Sequence, residues 1–317
     1  MKNKLVFLFF FLALTGIAAG QSSGERNFLF LLNEYSPRGS ALAGNLVAFR
    51  GDVDNFFYNP AGINGLEGKV WSAAYVDHLL DFQGGMAVFS MPVPRLGRMA
   101  VHLIYFNYGT FQETDIFGEN TGRTFTASEM ALGATLANTL GDHFEYGVSV
   151  KVIYSSLERF NAAAIAVDGG LLYTAPFMEG LRMGISLSNL GFAIDHYTDE
   201  SETMPVLLRV GLAKRLAHLP LTITLAINDL TRATDGPAWE VLQRFSAGGE
   251  FDVNDNIRFR LGYQNDVNVS TRPLSGRNFA GVSAGVGILW RTFRFDYSYV
   301  SFGDLGGLNR FGITGRF

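Results

Sequence analysis

From Trp71 onward the chain repeats one theme, a stretch of roughly ten residues in which apolar side chains alternate with small or polar ones, closed by a turn. Tyr146, Val148, Val150, Val152 and Tyr154 fall in one phase, and Gly147, Ser149 and Lys151 in the other. Successive Cβ atoms of a strand point to opposite faces, so this spacing predicts one apolar and one polar wall, which a helix would not separate. The pattern recurs as Ile165, Val167, Leu171 and Tyr173 against Asp168 and Gly170, and as Leu221, Ile223, Leu225 and Ile227 against Thr222, Thr224 and Asn228. It returns as Phe293, Phe295, Tyr297 and Tyr299 against Arg294, Asp296 and Ser298. A soluble sandwich would turn the polar face outward; a membrane barrel turns it to the lumen.

Fourteen such strands are predicted, centred near residues 74, 88, 102, 131, 150, 168, 185, 210, 224, 248, 260, 285, 297 and 313. Twelve or sixteen are also compatible with the pattern. The connections alternate in length. Short ones fall at 92–97, 138–143, 175–180, 216–220, 252–256 and 290–292, and long ones at 107–124, 190–203, 229–243 and 264–279. Short periplasmic turns opposite longer external loops are the expected asymmetry of an outer-membrane barrel. The fold class read from this pattern is all-β: a transmembrane, antiparallel, up-and-down barrel over residues 71–317.

The first twenty residues change the picture by supplying an address. Lys2 and Lys4 precede an unbroken apolar run at 5–14, and Ala18-Ala19-Gly20 offers a small-residue cleavage site, as in a secretory signal. The run is too short to cross a bilayer, which takes about 20 residues as a helix. Yet 48% of the chain is hydrophobic, 14% aromatic and only 17% charged, a balance that suits strands facing lipid. With no Cys, neither disulfides nor thiolate metal sites are available. The 25 basic residues, less Lys2 and Lys4, stand against 29 acidic ones, so the mature chain is acidic and has no basic surface for a nucleic-acid partner. The expected location is the outer membrane of a Gram-negative bacterium, with membrane lipid as the surrounding partner.

Residues 21–70 read differently. The run from Ser36 through Gly44 is small and Gly-rich, and Asn59-Pro60-Ala61-Gly62 is a turn signal. Small residues allow close packing in a crowded lumen, so the segment is expected to plug the barrel or close its periplasmic end; an ordinary leading loop is the alternative. Pro60 fixes its own φ and biases Asn59 toward extended backbone, while Gly62 is free to adopt a positive φ, so a rigid turn is expected there.

Candidate chemistry is sparse. Gly281-Val282-Ser283-Ala284-Gly285 matches a nucleophile elbow in letters, but it sits inside an alternating strand rather than at a strand-to-helix turn. The five His residues are scattered singly, and the run from Asp252 to Asn256 lacks the Gly and terminal Glu of a calcium loop. No catalytic residue, metal site or cofactor is expected. Charges in the lumen phase are the more informative set: Glu129, Lys151, Asp168, Arg209, Glu250, Arg258, Arg260, Arg294 and Asp296. An unpaired charge in a confined interior is costly, so these are expected to pair with one another or with Arg38, Asp52 and Asp54; a solvated pore lining is the alternative.

The chain ends by alternating to a terminal aromatic, Phe317, which resembles the C-terminal strand that the barrel-insertion machinery recognises. Arg38-Gly39, Ala43-Gly44, Asp52-Val53-Asp54 and Tyr58-Asn59-Pro60-Ala61-Gly62 together resemble the N-terminal pattern of the PorV/PorQ family, barrels similar to the FadL fatty-acid transporters. Segments at 107–111, 146–158, 189–191, 214–220 and 293–297 look closest to the PorQ branch. The resemblance implies a docking component of a type IX secretion and surface-attachment complex, with PorV-, PorU- and PorZ-like partners and with any chemistry left to a partner. A FadL-like transporter of hydrophobic small molecules is the alternative, which requires an apolar lumen pocket and a lateral opening. An outer-membrane hydrolase would need a convergent catalytic set, and none is visible.

Overall fold

The computed structural model describes residues 26–197, 203–233, 238–271 and 279–317; the signal at 1–20 lies outside them. The strands are β1 (Val70–Asp77), β2 (Gln83–Val93), β3 (Gly97–Thr114), β4 (Asn120–Leu140), β5 (Phe144–Leu157), β6 (Phe160–Thr174) and β7 (Leu181–Asp195). They continue as β8 (Leu207–Arg215), β9 (Leu221–Ile227), β10 (Phe245–Asp252), β11 (Ile257–Gln264), β12 (Val282–Trp290), β13 (Phe293–Ser301) and β14 (Gly307–Arg316). Each pairs antiparallel with its sequence neighbours, and β1 pairs with β14 from Val70↔Arg316 to Asp77↔Asn309, which closes the barrel. Closure removes both sheet edges, so every strand finds hydrogen-bond partners without water.

The alternation sets the two faces. Val148, Val150, Val152 and Tyr154 of β5 are exposed on the outside, while Ser149, Lys151 and Ser155 are buried inside. An exterior of this kind is stable only against lipid or detergent, because it displays contiguous apolar side chains around the wall.

The wall is not uniform in height. β3 and β4 have 18 and 21 residues and β5 to β7 have 14, 15 and 15, whereas β8 and β9 have 9 and 7. Residues 107–124, expected as a long loop, are mostly paired: Phe111 faces Phe125 and Thr114 faces Asn120 across the hairpin. Alternation persists through Thr110-Phe111-Gln112 and Thr124-Phe125-Thr126, so the ladder extends beyond the ~10 residues that cross a bilayer.

Residues 26–69 run through the interior. At the end bearing the long connections, the Asn27 amide donates to the Thr203 carbonyl (2.9 Å), and Arg26 pairs with Asp229 at 2.7 Å. At the opposite end the Phe317 amide donates to the Lys69 carbonyl (2.9 Å), just before β1 begins. Between them lie two short helices, α1 (Pro37–Ala41), capped by Ser36, and α2 (Asn55–Tyr58). The lumen wall makes room by omitting side chains: a Cβ on Gly147 of β5 would collide with the Pro60 and Ala61 backbone.

Candidate functional site

The interior divides into two halves. Toward β10 to β14 it is ionic. Arg38 donates to both Glu250 oxygens (2.8 and 2.6 Å), and Arg260 donates to Glu250 and to Asp296, each at 2.6 Å. Arg294 donates to Asp296 (2.6 Å) and pairs with Asp52 (3.3 Å), which also accepts from Arg38. The six groups therefore form a closed ring of alternating charge: Asp52, Arg38, Glu250, Arg260, Asp296, Arg294 and back to Asp52. Arg260 of β11 reaches Asp296 of β13 across β12 because Gly287 leaves the space between them empty of side chain. Two members come from the N-terminal segment and four from the wall, so the ring fastens one to the other. Burial opposes the charge on Asp52, but Arg294 and Arg38 outweigh it and hold the carboxyl well below the usual range. Asp54 lies outside the ring and accepts from Ser36 (2.6 Å); burial, then the Asp52 charge, push it up to about 6.

The other sequence-selected residues are spread more widely. Lys151 donates to both oxygens of Asp168 (2.8 and 2.9 Å) and to Asn189 (2.5 Å) in a second, separate cluster. Arg258 pairs with Asp252 at 3.1 Å near the short turns. Arg209 is buried over the Phe57 and Tyr58 rings, 5.6 and 5.7 Å from their centroids. Gly39 packs under the Tyr58 hydroxyl. Asn59 accepts from the Ala61 amide (3.1 Å) and donates to the carbonyls of Val47 (2.7 Å) and Leu171 (3.1 Å), the latter on β6. Pro60–Ile63 form a 3-10 turn in which Gly62 has ordinary backbone angles. Gly62 is required by close approach instead, since a Cβ there would strike the Asn55 side chain and the Phe49 carbonyl. Phe317 is exposed at the barrel's end. Ser283 donates to the Ala41 carbonyl (3.1 Å), and Asn254 accepts from the amides of Asn256 (2.8 Å) and Ile257 (2.9 Å) as an ordinary turn residue.

Toward β2 to β7 an apolar core lies beside the Lys151–Asp168 cluster. Phe28, Phe30, Leu31, Tyr35 and Phe56 of the N-terminal segment pack against Met86, Val88, Ile104, Phe106, Ile153 and Leu187 of the wall. His102 is stacked on Phe56, with ring centroids 4.2 Å apart. Above this core, inside the tall side of the wall, lies a cavity of about 410 Å³ lined by Tyr108, Phe111, Phe125, Ala127, Glu129, Ser155, Ser156, Leu157 and Tyr197. Phe111 and Phe125 are stacked at 5.3 Å, and Phe82, Phe106 and Tyr108 continue the aromatic surface inward. Glu129 accepts from Ser155 (3.0 Å) and from Tyr108, and Tyr197 donates to Ser155. The strand-phase reading selected Glu129 but missed the aromatic residues around it, because residues 107–124 read as a loop. The lumen phase is thus not uniformly small and charged: its apolar members come from β2 to β7 and from the threaded segment.

The ladder of the wall is irregular on this side. The β3–β4 register shifts between Asn107 and Thr110 and between Gln112 and Thr114, and the β6–β7 register between Ala163 and Ala164 and between Val167 and Gly169. Asn189, opposite the last of these, has a φ of 63°.

No protein-family model and no curated protein matches the chain. Solved structures do. The toluene transporter TodX of P. putida aligns with a TM-score of 0.59 at 12% identity, over 88% of this chain and 97% of that one. The toluene transporter TbuX of Ralstonia pickettii aligns at 0.59 and 16%, over 91% and 100%. A Pseudomonas aeruginosa FadL homologue aligns at 0.54 and 11%, over 89% and 98%. The fold is therefore that of the FadL-like outer-membrane barrels.

These matches correct the functional expectation. A docking component of a type IX secretion complex with PorV-, PorU- and PorZ-like partners is not what they favour: the full-length structural neighbours are transporters of hydrocarbons, in line with the transport alternative. The PorV/PorQ resemblance holds only at its coarser level, that of a FadL-like barrel.

Proposed function

We propose that this protein is a channel of the Gram-negative outer membrane that admits small hydrophobic molecules. The observation that carries the reading is the aromatic-lined cavity on the β3 to β5 side of the lumen, whose volume of about 410 Å³ lies in the range of small-molecule sites. The named functions of TodX and TbuX support it by analogy of fold. The register shifts in the β3–β4 and β6–β7 ladders are the places where a lateral path could open, while the N-terminal segment obstructs a straight one. In this reading the long-connection end faces outward and the short turns face the periplasm.

The test is uptake of labelled toluene by intact cells lacking their own hydrocarbon channels, with and without this chain. Expression should raise uptake several-fold, and Phe111→Asp with Phe125→Asp should return it to background while the barrel still folds. Uptake equal to the empty vector would overturn the proposal.

A further inference from the structure

The cavity holds more than a hydrophobic lining, and its polar groups all have one sense. Glu129 is buried at its wall, and no Lys, Arg or His among the described residues forms an ion pair with it, unlike every member of the Asp52 ring. Its neighbours supply hydroxyls only. Tyr108 donates to one carboxylate oxygen and Ser155 to the other, and Ser155 in turn receives the Tyr197 hydroxyl. The hydroxyl hydrogens are thereby spent on the protein. A carboxylate has about four acceptor sites, and only two are used, so the site presents spare acceptor capacity and negative charge.

The rings around it have the matching electrostatics. Tyr108, Phe111, Phe125 and Tyr197 surround the same space, and the negative face of an aromatic ring attracts a cation. The rim above continues the sign. Glu113 and Glu158 both approach Arg123 (3.3 and 3.7 Å), and Asp115 and Glu119 stand exposed at the hairpin tip. Such a mouth favours entry of positive ligands.

We propose that the preferred ligand of this cavity is an amphipathic organic cation, an ammonium group on an aromatic or short alkyl body, with Glu129 as its counter-charge. The inference rests on the channel reading and narrows its substrate class. The ammonium would take the unused acceptor positions of Glu129, and the body would lie between Phe111, Phe125 and Tyr197. A carboxylate ligand is disfavoured by the same arrangement, since no cation among the described residues pairs with Glu129 to offset the repulsion.

Three water-soluble probes of one shape separate the cases: phenethylammonium, 2-phenylethanol and phenylacetate, titrated calorimetrically into the purified barrel in amphipol. Phenethylammonium should bind about tenfold or more tighter than 2-phenylethanol, as a desolvated cation over aromatic faces would, and phenylacetate should not bind. Glu129→Gln should erase the preference for the cation over 2-phenylethanol, with heat-modifiable migration confirming the fold. Phe125→Leu, in the projecting hairpin and away from the ion ring, should weaken the cation several-fold and serves if the first variant fails to fold. Equal affinity for the cation and the alcohol, or a preference that survives Glu129→Gln, would overturn the inference and leave the hydrophobic channel standing. Absence of binding by both would overturn the two together.

Discussion

Arg38 and Glu250 are 212 residues apart in the chain and meet through two parallel hydrogen bonds, of 2.8 and 2.6 Å, inside the barrel. That fork is the most directional link between the threaded segment and the wall, and the rest of the ring holds it from both sides. Removing one partner of a buried pair leaves the other charge uncompensated, at a cost of about 3–5 kcal/mol. Glu250→Gln should therefore loosen residues 26–69 while the barrel, closed by β1 and β14, still inserts. Limited proteolysis should cut the segment faster and single-channel conductance should rise; unchanged cleavage and conductance would mean the ring does not hold the segment.

Asp52 and Asp54 of the segment should respond to pH in opposite directions. Asp52 is depressed, so its contribution is present at neutral pH and is lost as pH falls below the ordinary carboxylate range. Asp54 is raised to about 6, so the contribution of its protonated form is present below the ordinary carboxylate pKa and is lost as pH rises through 6. Hydrogen exchange of the segment between pH 4.5 and 7.5 should accelerate, beyond the intrinsic chemical rate, through the Asp54 step. Asp54→Asn should flatten that step, and Asp52→Asn should raise exchange across the whole window. A step that persists in Asp54→Asn would assign it elsewhere.

Asn59 holds its own turn through hydrogen bonds with Ala61 and Val47 and ties it to the wall through one to Leu171. Replacing it by Ala strands buried carbonyls at about 1–3 kcal/mol each, and Gly147→Val drives a side chain into Pro60 from the other side. Both variants should raise protease sensitivity of the segment without altering heat-modifiable migration. Normal resistance in both would reduce the turn to a connector.

On the outer face, Val150 points away from the lumen at mid-strand. Val150→Arg should destabilise the barrel in lipid vesicles by about 2–4 kcal/mol if that position lies near the bilayer midplane, measured by equilibrium unfolding. An effect near zero would place this part of β5 outside the hydrocarbon.

A tag at Asn120, at the tip of the β3–β4 hairpin, should be reachable on intact cells, and tags at Asp142 or Asp255, in short turns, should not. The converse pattern would invert the proposed orientation.

The alternation of side chains determined much of this by itself. A period of two is a property of the local backbone, so strands, their apolar faces and the lumen phase of Glu129, Lys151, Glu250, Arg260 and Asp296 could be read residue by residue. Each of the fourteen strands contains its expected centre for that reason. What alternation leaves open is height: which lumen positions on different strands share a level depends on register around a closed barrel, and on the path of a segment with no period. The ring from Asp52 through Arg38, Glu250, Arg260, Asp296 and Arg294 exists only once β10 to β13 are in register and the N-terminal segment runs between them. The cavity needed the β3–β4 ladder to continue past the membrane, where Phe111 and Phe125 face each other across a hairpin that alternation alone reads as one long connection over 107–124. Glu129 could be chosen from the sequence as a lumen charge, but that no Lys, Arg or His among the described residues pairs with it is a fact about the neighbours that the closed wall brings to it, and only the tertiary structure decided that.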